Sequence, residues 1–126
     1  MRPKKFYYAE THYFGSSYLI EWVPSIGLCL QDSSSCIPFM VEPSTVLTPS
    51  DSDWEAFKIS TESMALNPTE PELPVCDGFE VQCHITFRRR LVKFEIINPD
   101  FDGFDRFRDL INQFTVCSDY PNGLLG

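Results

Sequence analysis

Long apolar segments are missing from this 126-residue chain. No run approaches the roughly 20 apolar residues that a membrane-spanning helix needs. The basic residues 1–5 lead into an aromatic and polar segment, not into the apolar core of a secretory signal. We therefore expect a protein without membrane spans or a standard secretion signal, located in the cytoplasm.

Cysteine is present in an odd number and without C-x-x-C spacing, which argues against a zinc framework and a paired disulfide framework. The five cysteines are Cys29, Cys36, Cys76, Cys83 and Cys117. We interpret them as free thiols in a reducing compartment. Cys83 and His84 are adjacent on a predicted strand, where they point to opposite faces. We therefore expect no metal and no cofactor.

Catalytic motifs are also lacking: the sequence contains no G-x-S-x-G elbow, P-loop, dinucleotide fingerprint or H-E-x-x-H. The two histidines, His12 and His84, both fall on predicted strands. The closely spaced carboxylates Asp51, Asp53 and Glu55 are explained by helix capping and solvation, so they need no role as general acids. We expect no catalytic residues, and a small enzyme with a Cys–His pair distant in sequence stays open as the weaker alternative.

Negative charge is concentrated in one segment. The chain has 10 Lys and Arg against 18 Asp and Glu, a net charge of −8, and residues 42–80 contain nine of the acids but Lys58 alone. These acids, which we predict to bind a partner, are Glu42, Asp51, Asp53, Glu55, Glu62, Glu70, Glu72, Asp77 and Glu80. Such a region repels phosphates and attracts basic surfaces. Direct nucleic-acid binding is therefore not expected.

The first third of the chain reads as strands. Residues 4–14 are rich in aromatics and favour a strand. Residues 17–23 and 26–30 follow after breaks at Gly15-Ser16 and Pro24-Ser25, which predicts an antiparallel meander. Residues 37–41 predict a short edge strand, because Pro38 cannot donate a hydrogen bond within a central strand.

A helix is predicted to follow, with Thr48 as its cap, Pro49 at its first position and Asp51 three residues after the cap. Its acids suit the positive end of a helix dipole. Asn67-Pro68 is predicted to end it. The predicted buried positions are Trp54, Phe57, Thr61 and Met64.

The last third predicts a hairpin and a second helix. Residues 79–87 alternate between apolar and polar, and residues 91–97 return after a basic turn at Arg88-Arg89-Arg90, whose charge discourages edge pairing. A helix over 103–116 buries Phe104, Phe107, Leu110, Ile111 and Phe114. The predicted order is β-β-β-(β)-α-β-β-α, an α+β fold in which two helices pack on an antiparallel sheet. We expect a single domain over 1–126, with a tail at 117–126.

Two short motifs occur in this layout. Residues 48–57 read T-P-S-x-x-x-W-x-x-F, and Asp77-Gly78 opens the strand before the terminal helix. Over residues 18–115 the sequence resembles the small cytoplasmic immunity proteins of bacterial polymorphic-toxin and contact-dependent growth inhibition systems. It departs from their pattern at Phe79, where a tryptophan is often found, and at Asn98-Pro99, where the strand end often contains glycine.

The resemblance implies a non-catalytic inhibitor that binds one cognate toxin in the producing cell, commonly a nuclease with a basic cleft. An acidic surface complements such a cleft. Trp54 and Phe57 are interpreted as core residues, not as interface anchors. The alternative from another class is an acidic adaptor or nucleic-acid mimic of phage type, which shares the electrostatics and differs in its partner.

Overall fold

The computed structural model describes residues 2–13, 15–33, 45–69 and 78–126. Its strands are β1 (Lys5–His12), β2 (Ser17–Val23), β3 (Gly27–Ser33), β4 (Thr45–Leu47), β5 (Phe79–Phe87) and β6 (Arg90–Ile97); its helices are α1 (Asp51–Glu62) and α2 (Phe104–Phe114). The α+β class and the predicted order of elements are confirmed.

The strands form one six-stranded antiparallel sheet in the order β4-β3-β2-β1-β5-β6. β1 lies inside the sheet because it pairs with both β2 and β5. The edge strand predicted at 37–41 lies outside the described residues, and the edge beside β3 is formed by Thr45–Leu47. β3 continues to Ser33, beyond its predicted end, because its whole length pairs with β2.

The start of α1 corrects the predicted cap. The cap is Ser50, not Thr48: its hydroxyl accepts a hydrogen bond from Asp53 N at 3.1 Å, and the Asp53 carboxylate accepts one from Ser50 N at 3.0 Å. This reciprocal pair satisfies two backbone donors that the helix itself leaves free. Pro49 consequently precedes the cap.

The end of α1 also differs from the prediction. The helix ends at Glu62, with Ser63 as its C-cap, five residues before Asn67-Pro68. At this end the Arg90 guanidinium donates to the carbonyls of Thr61 and Met64 at 3.0 and 3.1 Å. These hydrogen bonds satisfy carbonyls of the last turn and the segment after it. Met64 therefore lies outside the helix but still packs against the core.

The β5–β6 hairpin turns at two residues, Arg88 and Arg89, and Arg90 belongs to β6. The predicted three-residue turn was therefore one residue too long. At the open end of the hairpin, Asn98 N donates to Phe79 O at 2.7 Å and Asn98 Oδ1 accepts from Phe79 N at 3.0 Å. A Cβ at Gly78 would overlap the Asn98 amide, so glycine is needed there.

Both helices cover one face of the sheet, which we call the inner face. Phe6 of β1 is central to the packing, with ring centroids 5.8 Å from Trp54, 5.4 Å from Phe57 and 6.1 Å from Phe114. Trp54 and Phe57 are buried, as predicted. The predicted stripe of α2 also faces the core: Phe104, Phe107 and Ile111 are buried, and Leu110 and Phe114 pack against the core.

The C-terminal segment is part of this packing. Leu124 and Leu125 are buried in the core, and their backbone N–H groups donate to Thr115 Oγ1 and Asn112 Oδ1, each at 2.8 Å. The sequence showed no period after residue 116, because these contacts come from a turn and not from a helix or strand. The segment predicted as a tail therefore stabilises α2.

Candidate protein-binding surface

Four of the acids predicted to bind a partner lie on α1. Asp51, Asp53 and Glu62 are exposed and Glu55 is half-buried. Asp53 also belongs to the helix cap, and Glu62 forms an ion pair with Lys58 at 3.6 Å. The single base of the predicted acidic segment is thus already paired with one of its acids.

Glu80 is separated from these four. Its neighbour Val81 is buried in the inner face, so alternation along β5 directs Glu80 to the outer face of the sheet, where its carboxylate accepts from Gln82 Nε2 at 3.2 Å. The structure therefore brings Asp51, Asp53, Glu55 and Glu62 together on the helical layer and places Glu80 on the opposite side. Glu42, Glu70, Glu72 and Asp77 lie outside the described residues.

The helical layer contains further acids that the count over residues 42–80 missed. Asp105 and Asp109 are exposed on α2. Of the two arginines on that helix, Arg106 is exposed, whereas Arg108 is neutralised by a buried carboxylate. The sequence signal for these acids was present, since both lie on the predicted exposed side of helix 103–116. A count of charges over each exposed surface, and not over one chain segment, would have included them. The negative surface therefore extends over both helices.

A cleft of about 500 Å³ lies between the two helices. Apolar side chains form much of its wall, with Asp53 and Gln113 among the polar residues, and Val116 at its border is 45% exposed. Its apolar lining residues are Leu47, Pro49, Ala56, Phe57, Leu110, Phe114 and Val116. An apolar centre flanked by charged residues is the usual anatomy of a protein interface. We call this cleft and the exposed acids of α1 and α2 the helical surface.

A buried polar cluster joins the sheet to α2. The fully buried carboxylate of Glu10 accepts two hydrogen bonds from Arg108, at 2.7 and 2.9 Å, and one from the Tyr8 hydroxyl at 2.5 Å. His12 Nε2 lies 3.0 Å from the same carboxylate. The His12 ring also stacks on Phe79, with centroids 4.8 Å apart. This cluster was not predicted from the sequence, although Phe6, Tyr8 and Glu10 alternate onto one face of β1.

The cluster holds Glu10 in its charged form. Burial by itself would raise the pKa of Glu10, but hydrogen bonds from Arg108 and Tyr8 outweigh burial and lower it below its usual value. The bond to Glu10 raises the pKa of Arg108, and burial raises the pKa of Tyr8 well above its usual value. A carboxylate so fully paired is suited to holding elements together and is a poor proton donor.

The thiol and imidazole of Cys83 and His84 point away from each other. Cys83 is buried in the inner face, where burial raises its pKa, so the nucleophilic thiolate is disfavoured. His84 lies on the outer face beside a depression of about 490 Å³, and burial together with Lys5 and Lys93 lowers its pKa. Within the described ranges, no three His, Cys, Asp or Glu side chains are grouped to hold a metal.

No family model, curated protein or solved structure matches this chain. Among the helices in the described residues, none has the length and apolar character needed to cross a membrane. The structural class of the protein is therefore described by its own fold, which is a six-stranded antiparallel sheet with two helices on one face.

Proposed function

We propose that this protein is a non-catalytic immunity protein that acts in the cytoplasm, where it binds and neutralises a cognate toxin with a basic substrate groove. The observation that supports the proposal most is the helical surface. Exposed acids lie on both helices, and Asp53 is the one that lines the apolar cleft between them. The bases Lys58 and Arg108 are paired internally, which leaves Arg106 as the exposed base of the two helices.

The surface combines the two requirements of such an inhibitor. Apolar lining in the cleft supplies the contact area from which most binding energy comes. Exposed carboxylates elsewhere on the two helices accelerate encounter with a basic partner and disfavour polyanions. The toxin's basic residues would then face protein carboxylates in place of substrate phosphates.

The first test uses the product of the open reading frame adjacent to this gene as the probe. Co-expression with this chain, followed by co-purification, should yield a stable complex and suppress the toxicity of that product. Loss of toxicity without a complex, or a complex that leaves toxicity unchanged, would contradict neutralisation by direct binding. Capture of a nucleic-acid-processing enzyme in place of that product would favour the adaptor.

Charge reversal then locates the interface. We expect a variant with Asp51→Lys, Glu55→Lys and Glu62→Lys to associate with the partner about tenfold more slowly or worse, and with a weaker dependence on salt, because steering by exposed charges is lost. Asp53 is left intact because it caps α1. Stopped-flow association at two ionic strengths measures both effects.

Glu80→Lys is the matched control for this experiment. It reverses a charge from the same acidic segment but on the opposite face of the sheet, so association should stay within about twofold of the unmodified rate. Slower association for Glu80→Lys than for the α1 variant would place the interface on the outer face.

A further inference from the structure

The free edge of β6 presents a complete row of backbone hydrogen-bonding groups. β6 is the last strand in the sheet order and, within the described ranges, pairs with β5 alone. The hydrogen bond from Asn98 N to Phe79 O sets the alternation: even-numbered residues of β6 bond to β5. The odd-numbered residues, Leu91, Lys93, Glu95 and Ile97, therefore direct their N–H and C=O groups outward.

The side chains of these four residues follow a symmetric pattern on the outer face. The two outer ones are apolar and unusually exposed, Leu91 at 57% and Ile97 at 43%. The two inner ones, Lys93 and Glu95, are exposed and have opposite charges. Natural edge strands usually discourage pairing with proline, bulges or charged side chains such as lysine. On this edge the charge of Lys93 is matched by the opposite charge of Glu95. The order apolar, positive, negative, apolar is instead self-complementary. When two such strands run antiparallel, apolar side chains face each other and opposite charges face each other.

Only one antiparallel register of two β6 strands satisfies this pattern. With Phe94 at a twofold axis, Leu91 lies opposite Ile97 of the second copy and Lys93 lies opposite its Glu95. A shift by one residue would set outward-pointing backbone groups against inward-pointing ones. If the register shifts by two residues, either Lys93 or Glu95 faces its own counterpart in the second copy. Like charges directly opposite each other are destabilising.

We propose that the protein forms a homodimer by pairing the β6 edges of two copies in this register, which joins their sheets into one. About eight backbone hydrogen bonds form across the axis, together with two Lys93–Glu95 pairs and two Leu91–Ile97 contacts. The dimer leaves both helical surfaces on the same side of the joined sheet.

Charge reversal at the axis tests the dimer. Lys93→Glu places glutamates opposite glutamates at two symmetric positions, and Glu95→Lys does the same with lysines. Each should raise the dimer dissociation constant roughly ten- to a hundredfold, and the double variant K93E/E95K should restore it. Analytical ultracentrifugation over a concentration series measures all four proteins. Lys5→Glu, on the outer face but away from the edge, is the control and should dimerise normally.

Mixing the two single variants makes the test specific to the register. The K93E strand then presents two carboxylates and the E95K strand two ammonium groups, so both facing pairs across the axis have opposite charges. Two weakly associating proteins should therefore form a heterodimer. Circular dichroism of each variant confirms that it is folded. An unmodified protein that stays monomeric at every concentration, or single variants that dimerise as well as the unmodified protein, would overturn the proposal.

Hydrogen exchange provides a readout independent of charge. The amides of Lys93 and Glu95 should become more protected as protein concentration rises, whereas those of Val92 and Phe94, already bonded to β5, should not change. Dimerisation without this protection would place the interface elsewhere and overturn the proposal.

Discussion

The carboxylate of Glu10 joins three parts of the chain. It belongs to β1, receives both hydrogen bonds of an Arg108 fork from α2, and through Arg108 is linked to the carbonyl of Leu125, 3.3 Å from the guanidinium. A buried charge is tolerated only with such partners, since an unpaired one pays the full cost of leaving water. Glu10 therefore fixes where α2 and the C-terminal segment lie on the sheet.

Arg108→Ala should lower the free energy of unfolding at pH 7 by about 3 kcal/mol, because it leaves Glu10 buried without its cation. Urea denaturation measures this loss. Arg106→Ala, an exposed neighbour on α2, is the control and should change stability by no more than about 0.5 kcal/mol. Equal losses for both variants would show that the Glu10–Arg108 pair adds nothing specific.

The same pair predicts a pH dependence. The pKa of Glu10 is lowered by folding, so its contribution is present above the unfolded pKa, roughly 4.3, and is lost as pH falls through the folded value. The stability gap between the unmodified protein and Arg108→Ala should therefore shrink as pH falls below about 4. Urea denaturation at a series of pH values follows the gap, and a constant gap would contradict a charged Glu10.

β5 and α2 show how far sequence reasoning reaches for single elements. Residues 79–87 alternate without interruption, and the buried stripe of α2 repeats at helical spacing, so local pattern was enough for both. The ends of α1 were not predictable in this way. Thr48 alone was predicted as the cap, and only the folded geometry shows that Ser50 and Asp53 reach each other.

Arg90 shows a second limit of local pattern. In sequence it is one of three adjacent arginines, and its contact with α1 depends on how the hairpin meets the helix. The same holds for Glu10 and Arg108, which are far apart in sequence. The prediction grouped Glu80 with the helical acids, although strand alternation along β5 would have been enough to separate it from them. Grouping α1 with α2 required the tertiary fold.

Arg90→Ala should destabilise the protein by about 1–3 kcal/mol, because it removes charged hydrogen bonds from the carbonyls of Thr61 and Met64. Arg88→Ala, in the exposed turn beside it, should have almost no effect. Urea denaturation of both variants gives the comparison. If Arg88→Ala costs as much as Arg90→Ala, the charge of the hairpin tip matters and the hydrogen bonds to α1 do not.

The whole molecule has a shared aromatic core. Phe6 from the sheet, Trp54 and Phe57 from α1 and Phe114 from α2 pack together in one cluster, so neither helix can detach without opening the packing of the other. Packing that includes every layer favours a single cooperative transition.

We therefore expect thermal unfolding followed by Trp54 fluorescence and by far-ultraviolet circular dichroism to give coincident curves. Trp22→Phe leaves Trp54 as the single tryptophan and sharpens the measurement. A fluorescence transition well below the dichroism transition would instead indicate that α1 separates from the sheet first.

The interior position of β1 has a consequence for synthesis. β1 leaves the ribosome first among the strands, yet one of its two partners is β5, and its inner face awaits α2. A nascent chain that has emerged through α1 therefore displays an unpaired β1 edge beside Tyr8, which still lacks its contact with Phe107 of α2. At ordinary elongation rates that interval lasts on the order of several seconds. During it, neighbouring nascent chains on the same messenger have their best opportunity to associate wrongly.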